Sequence, residues 1–275
     1  MSDLGLLGLS LLGIGVGTYA TIIGAGGGFI VTPVLLLLFP DKAPAVVIAV
    51  GLAVAGLNSM SGSISYARYK RIDYITGLIV AGAISPGAII GAWITQFVHR
   101  GSFDIGFGIA LVALSLYIIF RSSLQQQGNL RGNIIRNFVD GDGVHHAYSF
   151  NLVPTVIASF LSGIGAGVMG VGGGIILVPI FVKWLGFPAK IATSTVLFAV
   201  IFMTLASTAT HVVQGDFSLE EWRLVIAIGI GIVIGAQIGA RISQNLRNQR
   251  ILHLLSLALM LGGMRLILQG TGVWV

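Results

Sequence analysis

Two five-residue runs, Gly24-Ala25-Gly26-Gly27-Gly28 and Gly170-Val171-Gly172-Gly173-Gly174, carry one pattern 146 residues apart, and each is followed at the same distance by a proline, Pro33 or Pro179. Both interrupt long apolar stretches. A glycine turn that opens a helix presents free backbone N–H groups and the positive end of the helix dipole, which is an anion-binding geometry. Glycine suits such a turn because positive φ costs it nothing and no side chain blocks close approach. The Gly-x-x-x-Gly spacing of Gly24 to Gly28 and Gly170 to Gly174 also lets helices pack closely, so a packing role and a ligand-facing role are both open. A proline inside a helix leaves the carbonyl four residues earlier unpaired, here Phe29 and Ile175. Free carbonyls favour cations, and a cation or metal-ion transporter built on them is the alternative reading.

A second constellation follows each short segment. Asn58, Ser61, Gly62 and Ser65 have the i, i+3, i+4, i+7 spacing of one helical face, and Thr204, Ser207, Thr208 and His211 repeat it 146 residues later. Two matching polar stripes in apolar helices point to a shared central path; hydroxyls can also bond their own i−4 carbonyls or a neighbouring helix. Thr193-Ser194-Thr195 adds hydroxyls at the start of the second striped helix, where the first half has Val47-Ile48-Ala49. A solute-binding role and a helix-start role both fit them. His211 reads as an interfacial residue at the outer helix end, with a proton relay its other possible role. Arg241 and Arg265, near helix ends, read as snorkelling side chains.

The absences also constrain the chemistry. Hydroxyls, Asn58 and glycines supply no acid, base or nucleophile constellation inside a span, so the chain is not read as an enzyme. There is no cysteine, and apart from His145-His146 the histidines His99, His211 and His253 are not spaced as a cluster, so neither a metal site nor a cofactor is assigned. No Asp or Glu falls in the middle of an apolar run, where ion-coupled transporters usually keep one. The expectation is therefore anion efflux driven by the membrane potential.

The elements that must position these groups follow from composition. Of 275 residues, 55% are hydrophobic and 9% charged, with mean hydropathy +0.97, too few polar groups to coat a soluble globule. Ten apolar runs alternate with short loops. Most reach the roughly 20 residues that span a bilayer, but those at 27–39 and 175–187 do not. The first run lacks a basic flank and reads as a retained helix. The net charge of +6 is spread over loops with no aromatic-interleaved basic face, which argues against nucleic acid.

The repeat extends well beyond the glycines. Gly17 falls on Gly163, Ala20 on Ala166 and Val50 on Val196; after a two-residue shift Asp73-Tyr74 falls on Glu221-Trp222, Gly87-Ala88 on Gly235-Ala236 and Gly91-Ala92 on Gly239-Ala240. The loop with Arg68, Lys70 and Arg71 matches one with Asp216, Glu220 and Glu221, and equivalent loops of opposite sign predict inverted halves. The chain then reads as an all-α polytopic membrane protein of two inverted-topology repeats. Each has a glycine-broken helix or helical hairpin, for about 8–10 membrane segments in all. Repeat 1 is 1–121, a flexible cytoplasmic linker 122–148, and repeat 2 149–275, with both termini outside. A homo-oligomer is compatible with this arrangement.

The pattern Gly-x-Gly-Gly-Gly-Phe/Ile-x-x-x-Pro at 24–33 and 170–179, followed by Ala189-Lys190-Ile191-Ala192-Thr193-Ser194, resembles the TauE/SafE family of sulfite exporters over nearly the whole chain. The resemblance implies a permease of a prokaryotic plasma membrane, exporting small sulfur-containing anions such as sulfite, sulfoacetate or related organosulfonates. It points to Gly26, Gly27, Gly28, Gly172, Gly173, Gly174, Thr193 and Ser194. Together with Asn58, Ser61, Thr204 and Ser207 these make the expected substrate site, near the midplane between the two glycine breaks. Val47-Ile48 departs from the family's Ala-Thr-Ser element, so the site is not expected to be symmetric.

Overall fold

A computed structural model describes residues 3–39, 41–95, 100–120, 132–141, 143–183 and 185–271. The expected termini at 1–2 and 272–275 and the linker segment 121–131 lie outside the described residues. Among the described residues ten α-helices form: α1 Asp3–Ile23, α2 Gly28–Leu38, α3 Pro44–Arg68, α4 Tyr74–Ile94, α5 Arg100–Phe120, α6 Leu152–Met169, α7 Gly174–Lys183, α8 Ala189–Val213, α9 Leu219–Asn245 and α10 Asn248–Gly270. Among the described residues seven helices are long and apolar enough to cross a membrane. The chain is an all-α multi-pass membrane protein. At 1.5 Å per residue, the 11 residues of α2 and 10 of α7 rise about 15 Å, half of a hydrocarbon core.

The packing repeats between the halves. Helix α1 lies on α9 as α6 lies on α4, and α3 meets α9 as α8 meets α4, while α3 packs on α8 and α5 on α10. Small residues make these seams. A Cβ on Gly235 or Gly239 would overlap the carbonyls of Ile14 or Thr18 in α1, and one on Gly87 or Gly91 those of Phe160 or Ile164 in α6. Lipid gives helices no hydrophobic reason to associate, so close backbone approach supplies the contact energy.

The span read as a flexible connection is in part an antiparallel hairpin. Strands β1 Ile134–Val139 and β2 His145–Phe150 pair in the register Arg136 to Tyr148 and Asn137 to Ala147. Its anchors are tertiary. Arg136 donates two hydrogen bonds to Asp73, from Nε at 2.9 Å and from a terminal nitrogen at 2.8 Å, and Tyr148 donates a third at 2.6 Å. Thr76 adds its hydroxyl at 2.7 Å, with Asp73 capping α4 through the Thr76 N–H. Tyr148 and Phe150 also pack on Phe187, with ring centroids 4.3 and 5.4 Å away. Low-complexity polar composition hid the hairpin because the partner of Arg136 lies 63 residues back in the chain.

Burial pushes the Asp73 carboxyl up, but the hydrogen bonds from Arg136, Tyr148 and Thr76 outweigh it and hold the group below its ordinary value. A carboxylate depressed on folding contributes stability above its unfolded pKa, near about 4, and loses it as pH falls through the lower folded value. Arg136→Ala, which strands the buried carboxylate, is expected to cost about 2 kcal/mol. Melting temperatures in detergent across pH 2 to 7 check both points: the wild-type protein loses stability below about pH 4, and the variant shows a flatter acid limb.

Candidate functional site

The two glycine turns adopt the same backbone. Gly24, Gly26 and Gly27 have φ of 75°, 77° and 90°, and Gly170, Gly172 and Gly173 have 70°, 76° and 62°. Residues with side chains would hold that conformation at a cost of about 1–2 kcal/mol each. The turns cross one another backbone to backbone. A Cβ on Gly28 would lie 2.5 Å from the Gly170 carbonyl, one on Gly172 3.0 Å from the Ala25 carbonyl, and one on Gly174 would overlap the Gly24 carbonyl. The close-packing role is therefore present.

The crossing leaves donors over. Gly27 O accepts from Ile30 and Val31, and Gly173 O from Ile176 and Leu177, as each short helix starts. The Gly174 N–H turns back to Gly172 O at 2.6 Å. The N–H groups of Gly26, Gly27 and Gly28 and of Gly172 and Gly173 meet no acceptor among the described residues. Such orphan donors are intrinsic to a helix start and need a partner when buried.

The expected side-chain ligands divide sharply. Asn58 is fully buried, takes the Thr21 hydroxyl on Oδ1 at 3.2 Å, and leaves Nδ2 with no partner. Ser61 instead joins helices: it donates to Val233 O at 2.8 Å and accepts from Gln237 Nε2 at 2.9 Å. Ser65, on the same face, donates to Gln237 Oε1 at 2.5 Å. Thr204 is spent on its own helix, donating to Val200 O at 2.7 Å, although its hydroxyl faces Gly56 across the α3 and α8 contact. Ser207 Oγ and Thr208 Oγ1 are buried with no partner.

Thr193 donates to Lys190 O at 3.0 Å and its backbone packs on Gly24, so it walls the first turn. Ser194 donates to Arg71 O at 2.6 Å, and Thr195 accepts the Asp73 N–H at 3.1 Å, so this pair fixes the loop between α3 and α4. Neither of the two caps α8, whose N-cap Pro188 receives no side-chain hydrogen bond.

Some residues at the crossing escaped the sequence argument. Ser59 places Oγ 3.2 Å from where a Gly26 Cβ would stand, buried and without a partner. Thr32 donates to Gly170 O at 3.1 Å, and both Thr32 and Gly170 face Ile48 or Gly51 of α3. A cavity of about 60 Å³, lined by Phe29, Thr32, Ile48, Val171, Ile175 and Arg265, opens beside the second turn. That volume holds a few waters or one small solute. Ser59 and Thr32 face Leu205 and Val178 at the 146-residue offset. A search for matching pairs skips such positions; a search for mismatches in polarity would have found them.

A family model described as "Sulfite exporter TauE/SafE" matches residues 9–266. The chain is 30% identical to the probable membrane transporter protein YunE of Bacillus subtilis, over 95% of this chain and 97% of that one. It is 25% identical to a probable membrane transporter protein of Methanocaldococcus jannaschii, over 94% of each. No solved structure matches the chain.

The geometry separates packing residues from candidate ligands. Ser61→Ala is expected to lower stability by about 1 kcal/mol through the lost bonds to α9. Gly174→Ala, which cannot avoid the Gly24 backbone, is expected to prevent the crossing and abolish folded protein. Thermal melting and gel filtration of the two purified variants check this, and a normally folded Gly174→Ala protein would show that the turns can separate.

Proposed function

Since the chain belongs to the sulfite exporter TauE/SafE family, we propose that it exports small sulfur-containing anions, such as sulfite, sulfoacetate or related organosulfonates, across a prokaryotic plasma membrane. The carrying observation is the set of buried donors without protein acceptors at the glycine crossing: the N–H groups of Gly26, Gly27, Gly28, Gly172 and Gly173 with Asn58 Nδ2 and Ser59 Oγ. An oxyanion is a solute that supplies acceptors to these donors. Burial without a countercharge keeps the affinity modest, which favours release.

The exchange of helix partners between the halves supports inverted repeats, and with them alternating access by rocking one half against the other. In this reading the basic loop 67–73 and the linker 122–148 are cytoplasmic, both termini lie outside, and Gly26–Gly28 and Gly172–Gly174 sit near the midplane. Thr193 and Thr204 line the passage from α8, while Ser61 and Ser194 hold its walls.

Exchange of labelled sulfite across proteoliposomes at one pH on both sides tests the binding site without involving any driving force. Asn58→Leu is expected to reduce exchange about tenfold or more, the loss of one hydrogen bond to a charged group. Ser59→Ala should do likewise while leaving the melting temperature unchanged or raised, because it deletes a buried unpaired hydroxyl. Wild-type exchange in both variants would move the site away from the crossing.

A further inference from the structure

The two polar stripes differ in one structural respect. On α3, Ser61 and Ser65 are tied to Gln237 of α9. The residue that the repeat places opposite the α8 stripe is Ile89 of α4, which has no polar atom to offer. The α8 stripe is accordingly left open: Ser207 Oγ, Thr208 Oγ1, His211 Nε2 and both polar atoms of Gln214 are buried without a partner. It runs from Thr204, at the contact with α3, to the C-terminal end of α8.

At that end the chain turns back. Gly215 has φ of 83°, its N–H bonds Val212 O at 3.1 Å, and the Asp216 N–H bonds His211 O at 3.0 Å, the pairing of a Schellman cap. The turn sets Asp216 Oδ2 2.8 Å from His211 Nδ1, with the imidazole 1% exposed. A carboxylate that looked like a loop residue in the sequence thus joins the stripe.

The chemistry follows from the imidazole's two nitrogens. Asp216 takes the proton on Nδ1, so in the neutral ring Nε2 is an acceptor, and a proton added to Nε2 from solution turns it into a charged donor. The helices packed on α8 bring the ionisable groups Tyr66 and Arg68 of α3, Tyr74 of α4, Lys183 of α7, Arg250, His253 and Arg265 of α10, and Tyr19 of α1. None of these bonds His211; Asp216 does.

We propose that His211 and Asp216 form a proton-operated anion site, which binds an oxyanion through protonated Nε2 and releases it on losing that proton, so that one proton crosses with the anion. The proposal rests on the chain moving small anions. It replaces flux driven by the potential alone with flux coupled to the proton gradient.

The test is net flux of methanesulfonate in proteoliposomes with the potential clamped and a pH dye inside. A sulfonate stays anionic near neutral pH, so the solute's own titration does not intrude. Wild type is expected to move protons with the anion and to change rate by about tenfold per pH unit through the working range. His211→Gln, and Asp216→Asn, which keeps the hydrogen bond and removes the charge, should flatten that to less than about twofold, with melting temperature retained. Anion flux without proton movement in wild type, or unchanged pH dependence in both variants, overturns the proposal and leaves the anion reading standing. Exchange of no sulfur oxyanion at all overturns the anion reading, and the proposal with it.

Discussion

Everything in this molecule turns on how a broken backbone is tolerated in a membrane protein. Lipid offers no hydrogen bonds, so the groups freed by a helix break must be buried in protein or face a wet cavity. Here the two breaks answer for each other. The turns at Gly24–Gly28 and Gly170–Gly174 cross so closely that any side chain on Gly28 or Gly174 would strike the other turn's backbone. The short lengths of α2 and α7 follow, since each starts at the crossing and runs out toward one face. The longer helices α3 and α8 then have to pass the crossing, which places their mid-length polar residues beside it.

The repeat builds a near-symmetric scaffold and then departs from symmetry where polarity counts. Gln237 in α9, opposed by Ile89 at the equivalent place in α4, converts one stripe into helix-to-helix adhesion and leaves the other unpaired. Ser59 and Thr32 enrich the first half at the crossing, whereas hydroxyls at the start of α8 enrich the second. The hairpin exists in one half only and clamps Asp73, while Glu221, its equivalent, is held by Lys42 at 2.8 Å. Both acids begin the helix that packs against the opposite half, so each end of the bundle is fastened by a different base.

The architecture was largely legible in the sequence. Apolar runs, the offset of 146 and the two short segments correspond to the observed spans, to the partner exchange and to α2 and α7, because bilayer thickness and glycine spacing act locally along the chain. The glycine turns were legible for the same reason. What was not legible is the difference between Ser61 and Ser207, which have equal spacing and chemistry. Only tertiary pairing with Gln237 separates them. The hairpin was lost because a polar, glycine-rich stretch has no periodicity of its own, and its order comes from Asp73 and Phe187.

The distribution of unpaired groups carries the last step. A buried hydroxyl or amide without a partner costs about 1–3 kcal/mol. Asn58 Nδ2, Ser59, Ser207, Thr208 and His211 Nε2, on α3 and α8, incur it, as do Ser85 on α4, Ser243 on α9 and Asn248 on α10. Ser10, Thr18, Ser115 and Ser256, by contrast, each reach a carbonyl. Alanine or glycine at the unpaired positions would fit the same seams with less loss. The unsatisfied polar groups on α3 and α8, in a chain this apolar, are those that the proposed passage of a polar solute would satisfy.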